Sequence, residues 1–170
     1  EEGRRYGSLM HAWLEQIEYL DQEGGVPDDS LLIKIAAREA PTATEQWVAE
    51  RLAEFRQMLR RPAIAERLRR GTEAQLWRER SFAVYTDQGI LRGVFDRVLV
   101  FEDASGLPGS AIVMDYKTDD IAGDRLQTAV ERYRPQLAAY RRALSAMLGL
   151  DQVAIECELL FVCAGLVETI

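Results

Sequence analysis

Two short runs in this 170-residue chain place acids where acids are costly. On a strand, residues two apart share a face, so Val94, Asp96, Val98 and Val100 would point one way and leave Asp96 among apolar neighbours. In the run Ala111 to Thr118, Val113, Asp115 and Lys117 share a face, with Ile112, Met114 and Tyr116 on the other. Two carboxylates converging at a strand end make a hard oxygen site for Mg²⁺, which asks for few protein ligands. A lysine one step further can orient an attacking water or neutralise charge on a phosphorane-like transition state. On residue type alone, Asp-x-Lys is also an ordinary ion pair near a sheet edge.

The elements that must hold these residues are readable from periodicity. Leu9, Trp13, Ile17 and Leu20 form one apolar stripe and predict a helix from Tyr6 to about Asp21, ended by Gly24-Gly25-Val26-Pro27. Asp29 or Ser30 would cap a second helix, Leu31 to Arg38, which Pro41 breaks. Thr42-Ala43-Thr44-Glu45 fits a capping box for a third helix reaching about Arg60, and a short fourth starts at Pro62 and stops by Gly71. After Gly71 the period becomes extended. Gln75–Thr86 and Ile90–Glu102 read as strands joined by a turn at Asp87-Gln88-Gly89. A strand from Ala111 to Thr118 and a loop from Asp119 to Gly123 lead to a helix from Leu126 to Leu148. Pro135 implies a kink or a fresh start within it. Gln152–Cys163 and Leu166–Ile170 supply two last strands. The expected fold is a single α/β domain over residues 1–170, helical in 1–71, with a mixed sheet of about five strands flanked by helices in 72–170.

Composition narrows the function classes. The chain is 48% hydrophobic and 29% charged, a globular balance, and no apolar run approaches the roughly 20 residues of a membrane span. No signal-peptide pattern opens it and it has two cysteines, so a reducing cytoplasm is the expected setting. A net charge of −7 argues at first against a nucleic-acid partner. The sum hides a partition. Residues 1–30 carry −6 and 87–131 carry −5, whereas 51–80 carry +5 and 132–150 carry +4. Of 21 basic residues only Lys34 and Lys117 are lysine, so Lys117 stands out against the arginine habit of the chain.

Five segments together resemble a known family: Tyr6-Gly7-Ser8-Leu9-Met10-His11, Glu79 ahead of Ser81-Phe82, Gly93-Val94-Phe95-Asp96-Arg97, Asp115-Tyr116-Lys117-Thr118, and Tyr133-Arg134-Pro135-Gln136-Leu137-Ala138-Ala139-Tyr140. In this order they are similar to the G-x-x-x-H, glutamate, G-x-x-D-R, D-Y-K-T and Y-x-x-Q-L-x-x-Y elements of the RecB/AddA-type nuclease domain. That domain belongs to the PD-(D/E)xK, restriction-endonuclease-like superfamily and lies at the C-terminus of bacterial helicase–nucleases. The resemblance covers roughly residues 6 to 163. It implies a Mg²⁺- or Mn²⁺-dependent deoxyribonuclease acting in double-strand-break repair and recombination. It further implies that His11, Asp96, Asp115 and the carbonyl of Tyr116 bind the metal, that Lys117 is the catalytic lysine, and that Glu79 assists.

The same resemblance sets Tyr133, Gln136 and Tyr140, which share a helix face, beside the DNA backbone. The residues leave bland alternatives open: a lone helical histidine is commonly structural, the tyrosines can simply pack on the sheet, and Glu79 can pair with Arg78 or Arg80. Arg69 and Arg70 are the phosphate-contact candidates of the arginine-rich stretch, whose first half also reads as a solvated, ion-paired face. Cys157 and Cys163, six residues apart in one expected strand, would be about 20 Å apart, which excludes a shared iron–sulfur cluster. No G-x-x-x-x-G-K-[ST] loop is present, so the chain carries no motor of its own. Its abrupt ends suggest an excised domain, and the resemblance implies a helicase motor in the same chain or complex. Two other functions compete: an inactive nuclease-fold module that binds DNA or a partner helicase, and a metal-dependent phosphohydrolase of small molecules.

Overall fold

The computed structural model describes residues 2–87, 89–119, 121, 123 and 125–170. Gln88 of the expected turn and Asp120 and Ala122 of the expected loop lie outside the described residues. The chain runs α1 (Glu2–Leu14), α2 (Asp29–Glu39), α3 (Glu45–Met58), α4 (Pro62–Leu68), β1 (Gln75–Thr86), β2 (Gly89–Glu102), β3 (Pro108–Lys117), α5 (Arg125–Leu148), a 3₁₀ turn (Gln152–Ala154), β4 (Ile155–Phe161) and β5 (Leu166–Thr169). It forms two units. One is Glu1–Gly71 with Lys117–Asp120 and Phe161–Leu166; the other is Thr72–Tyr116, Ile121–Leu160 and Val167–Ile170. None of the described helices is long and apolar enough to cross a membrane.

In the helical unit, Leu9, Trp13, Leu32, Phe55 and Ile64 are fully buried. The Trp13 indole donates to the Leu32 carbonyl at 2.9 Å and its ring meets Phe55 at 5.2 Å, so the large apolar anchor is also satisfied as a donor. The first helix is shorter at its end than its apolar stripe implies. Tight bonds from Gln16 N to Trp13 O and from Ile17 N to Leu14 O close α1 at Leu14, and Leu20 N then turns to Leu68 O at 2.8 Å. Ile17 is nevertheless fully buried, delivered by a turn instead of a helix. Caps also shift. Asp28, not Asp29 or Ser30, accepts from Leu31 N and starts α2, and Thr44 accepts from Trp47 N and starts α3 without the box at Thr42.

The sheet is mixed and ordered β1-β2-β3-β4-β5, with α5 as the crossover between β3 and β4. β1 and β2 pair antiparallel from Gln75↔Val100 to Thr86↔Gly89, and β2 pairs antiparallel with β3. This is the restriction-endonuclease-like α/β arrangement. α5 runs without a break through Pro135, because the proline removes one bond while buried Val130, Leu137 and Tyr140 hold the helix on its support. Phe82 and Phe95 stack at 4.3 Å and both meet the Tyr140 ring edge-on, at 5.9 and 5.2 Å. Gly93 admits this stack: a Cβ there would lie 2.7 Å from the Phe82 ring.

The cysteines depart from the expectation of one shared strand. Cys157 is buried in β4, with its thiol toward the Leu137 carbonyl at 3.7 Å, whereas Cys163 lies past the strand in a turn, 3.2 Å from the Tyr6 hydroxyl. The turn forms because Gly165, at φ +72°, donates back to Phe161 O.

Candidate active site

Strand register brings three acids into one row. The β1–β2 ladder steps from Arg78↔Arg97 to Arg80↔Phe95, which leaves Glu79 facing Asp96. The last regular β2–β3 pair is Arg97↔Met114, so one step beyond it Asp96 faces Asp115. Directly opposed residues on paired strands present their side chains on one face. Consistent with that, a Glu79 carboxylate oxygen lies within 4.8 Å of one of Asp96. Asp96 and Asp115 are 7% and 2% exposed, and Glu79 is partly buried.

Acids set side by side and largely buried need polar partners, and the surroundings supply several. The Tyr116 backbone N–H donates to Asp96 Oδ2 at 2.7 Å, taking up a main-chain donor where the ladder lapses. Gln136 Nε2 reaches Asp115 Oδ1 at 3.4 Å and the Tyr140 hydroxyl at 2.9 Å, linking α5 to the acid row. Arg97, fully buried on the reverse face of β2, hydrogen-bonds the Tyr116 phenol. Burial pushes that phenol up to about 12, with Arg97 pulling the other way. Burial, and then the charge of Asp115, likewise raises the Tyr140 phenol, so it stays protonated as a donor or acceptor beside the acids.

Glu79 takes a backbone φ of +44°, and among the described residues it alone does so without being glycine. A left-handed glutamate inside a strand costs about 1 kcal/mol or more, and such strain gathers at functional positions. Burial parity changes at this point. Trp77 is buried before it, whereas Phe82 is buried after it, on the alternate set of residues. Val94, expected beside Asp96 on an apolar face, is exposed, so Asp96 sits where the covered part of β2 gives way to an open one.

Lys117 is the last residue of β3, two beyond Asp115. Within the helical unit the backbone of Gly7 comes close to Thr118, the residue after it: a Cβ on Gly7 would sit 3.3 Å from Thr118 Oγ1. His11 lies one turn along α1 from Gly7, on the same side of the helix, and is partly buried. Tyr133 lies one turn before Gln136 with the Arg132 guanidinium 4.8 Å over its ring. Arg69 lines a cavity of about 440 Å³ with Arg56 and Arg60, and Arg70 stacks on Tyr19 at 5.2 Å, both within the helical unit.

Two features of this site escape sequence reading: the opposition of all three acids and the backbone of Glu79. Register and φ carry no residue signature of their own. Arg97 is visible in the sequence as the last position of the G-x-x-D-R segment, but its burial and its hold on Tyr116 are not.

The donor set suits a hard divalent cation. It offers close-set carboxylate oxygens from Glu79 and Asp96, with Asp115 next in the row. The model of the PD-(D/E)XK nuclease superfamily matches residues 1–168. The chain is also 30% identical over 155 residues to an ATP-dependent helicase/nuclease subunit of Streptococcus sanguinis (strain SK36). That match covers 89% of this chain and 12% of the relative's length, so the chain corresponds to a small part of that protein. Fold, acid row and both matches agree, and the chain belongs to the PD-(D/E)XK nuclease superfamily as a nuclease domain of RecB/AddA type.

Proposed function

We propose that the domain is a divalent-metal-dependent deoxyribonuclease, with Asp96, Asp115, His11 and the Tyr116 carbonyl as the groups that hold Mg²⁺ or Mn²⁺. The observation that carries this reading is the row Glu79–Asp96–Asp115 on three neighbouring strands, ending two residues before a lysine. A bound divalent ion would offset the charge of the row and make a water it holds more acidic, so that it is deprotonated more readily at neutral pH. The chain's own groups do the rest. Tyr116 N–H and Gln136 fix the two aspartates. Lys117 neutralises charge that develops on the phosphate and orients the attacking water. Glu79 receives or relays its proton.

Tyr133, Gln136 and Tyr140 line the approach to the scissile phosphate, while Arg69 and Arg70 contact DNA further along. By analogy with the ATP-dependent helicase/nuclease it resembles, the domain cuts DNA delivered by a helicase motor in the same chain or complex. Its role is double-strand-break processing in a bacterial cytoplasm.

Labelled single- and double-stranded DNA, incubated with Mg²⁺ or Mn²⁺, tests this. Wild-type protein should cleave, and Asp115→Ala and Lys117→Ala should each lose roughly 10²-fold or more. Cleavage that persists in both variants rejects the assignment.

A further inference from the structure

One cavity of the helical unit is lined by cations that the fold leaves unused. It encloses about 440 Å³, within the size range of small-molecule sites. Arg56 and Arg60, four residues apart at the end of α3, line it together with Arg69, which caps the C-terminal end of α4. Arg56 is held in place: its guanidinium donates to the Pro27 carbonyl at 2.6 Å and to Asp29 at 2.5 Å. Arg60 and Arg69 are not held. Both are exposed, and neither side chain makes a hydrogen bond, ion pair or ring contact with any described residue. Other arginines of the same stretch behave differently, Arg51 pairing with Glu54 and Arg67 with Glu66. The remaining lining is aliphatic, from Leu20, Val26, Leu59 and Ala65, with one acid, Asp21.

We propose that this cavity is a phosphomonoester site: Arg60 and Arg69 take the terminal phosphate of a nucleotide, free or at the 5′ end of a DNA strand. A phosphate monoester carries close to two charges at neutral pH and three strong acceptor oxygens, enough to occupy two guanidinium forks. A carboxylate offers one charge and two oxygens, and leaves one fork unfilled. The aliphatic lining covers the apolar parts of the sugar and base, which a bare inorganic anion cannot use. Asp21 accepts from the Arg70 N–H at 2.8 Å and keeps acceptor capacity for a sugar hydroxyl. Its negative charge also disfavours a run of phosphates along the wall, so a single terminal phosphate suits the cavity better than a continuous backbone. The site needs no metal and no cleavage.

Calorimetric titration with thymidine 5′-monophosphate, in EDTA, measures this binding alone. Wild type should bind it saturably and should bind thymidine, which lacks the phosphate, far more weakly. Arg60→Ala and Arg69→Ala should each weaken binding about tenfold or more, and the two combined should abolish it. Both positions are exposed, so the variants should melt like wild type, and circular dichroism checks this. Anisotropy of oligo-dT labelled at its 3′ end separates the two sources of the phosphate. Tighter binding of the 5′-phosphorylated strand than of the 5′-hydroxyl strand, lost in the double variant, assigns the site to a DNA end. Equal binding of the two strands, with the mononucleotide bound, assigns it to the free nucleotide. Phosphate-dependent binding that persists undiminished in the double variant overturns the proposal, and so does a wild type that binds neither phosphate probe. A glutamate-rich peptide held by the same two arginines when neither phosphate probe binds would make the cavity a peptide-docking site instead.

Discussion

In the helical unit, Arg51 bonds Glu54 at 2.8 Å, lies 3.6 Å from Glu50 and stacks over Trp47 and Tyr6, and Arg56 bonds both Asp29 and the Pro27 carbonyl. In the sheet unit, Glu79, Asp96 and Asp115 stand side by side, three charges of one sign. The first pattern satisfies charge locally and contributes modestly to stability. The second concentrates charge that the fold alone has no reason to collect, and a site that must hold a cation gains from it. The arginine-rich stretch therefore reads differently once folded. Much of it is engaged within its own unit, so the total of positive charge in a segment is a poor guide to what phosphate can reach.

The contrast can be broken most forcefully at Arg97. This fully buried cation sits behind the acid row and holds the Tyr116 phenol. Arg97→Met should destabilise the protein by about 3 kcal/mol in urea unfolding, since it leaves the buried Tyr116 phenol without its charged hydrogen-bond partner. A loss below about 1 kcal/mol would mean that the row does not depend on it.

Gly93→Ala comes next. Its methyl would press on the Phe82 ring, and the ring is held by Phe95 and Tyr140, so about 1–3 kcal/mol should be lost. Because Tyr140 carries Gln136, cleavage should fall as well.

Glu79→Gly tests the opposite sign. Glycine adopts φ +44° without steric cost, so thermal stability should rise by about 1 kcal/mol while nuclease activity drops. A variant less stable than wild type would show that no strain is stored there.

Smallest of all, Arg38→Ala in α2 should cost less than about 1 kcal/mol and leave cleavage unchanged, because its side chain is 69% exposed and it loses only a surface pair with Glu39. A large loss of cleavage would move the helical arginines into the functional set.

Much of this architecture is legible in the chain because local rules and tertiary packing agree. β1 begins and ends at Gln75 and Thr86, where the residues indicate, and α4 starts on Pro62. Asp96 and Asp115 stand out by alternation, as acids in otherwise apolar strands. Long-range pairings stay hidden. α1 closes at Leu14 although its apolar stripe runs on, because Leu20 is claimed by Leu68, 48 positions away. The strand containing Cys157 ends before Cys163 because Gly165 turns the chain back. Register is also non-local: nothing in the spacing of Glu79, Asp96 and Asp115 says that they oppose one another. Nor does the residue type announce the left-handed backbone of Glu79, since glutamate has no preference for it.

Whether the acid row holds a divalent cation can be read without any substrate, by titrating Mn²⁺ into the metal-free protein in a calorimeter. Wild type should bind Mn²⁺ saturably. That binding should vanish when Asp96→Asn and Asp115→Asn are combined, with the fold intact by circular dichroism. Undiminished Mn²⁺ binding in the double variant would mean that the row is not a cation site.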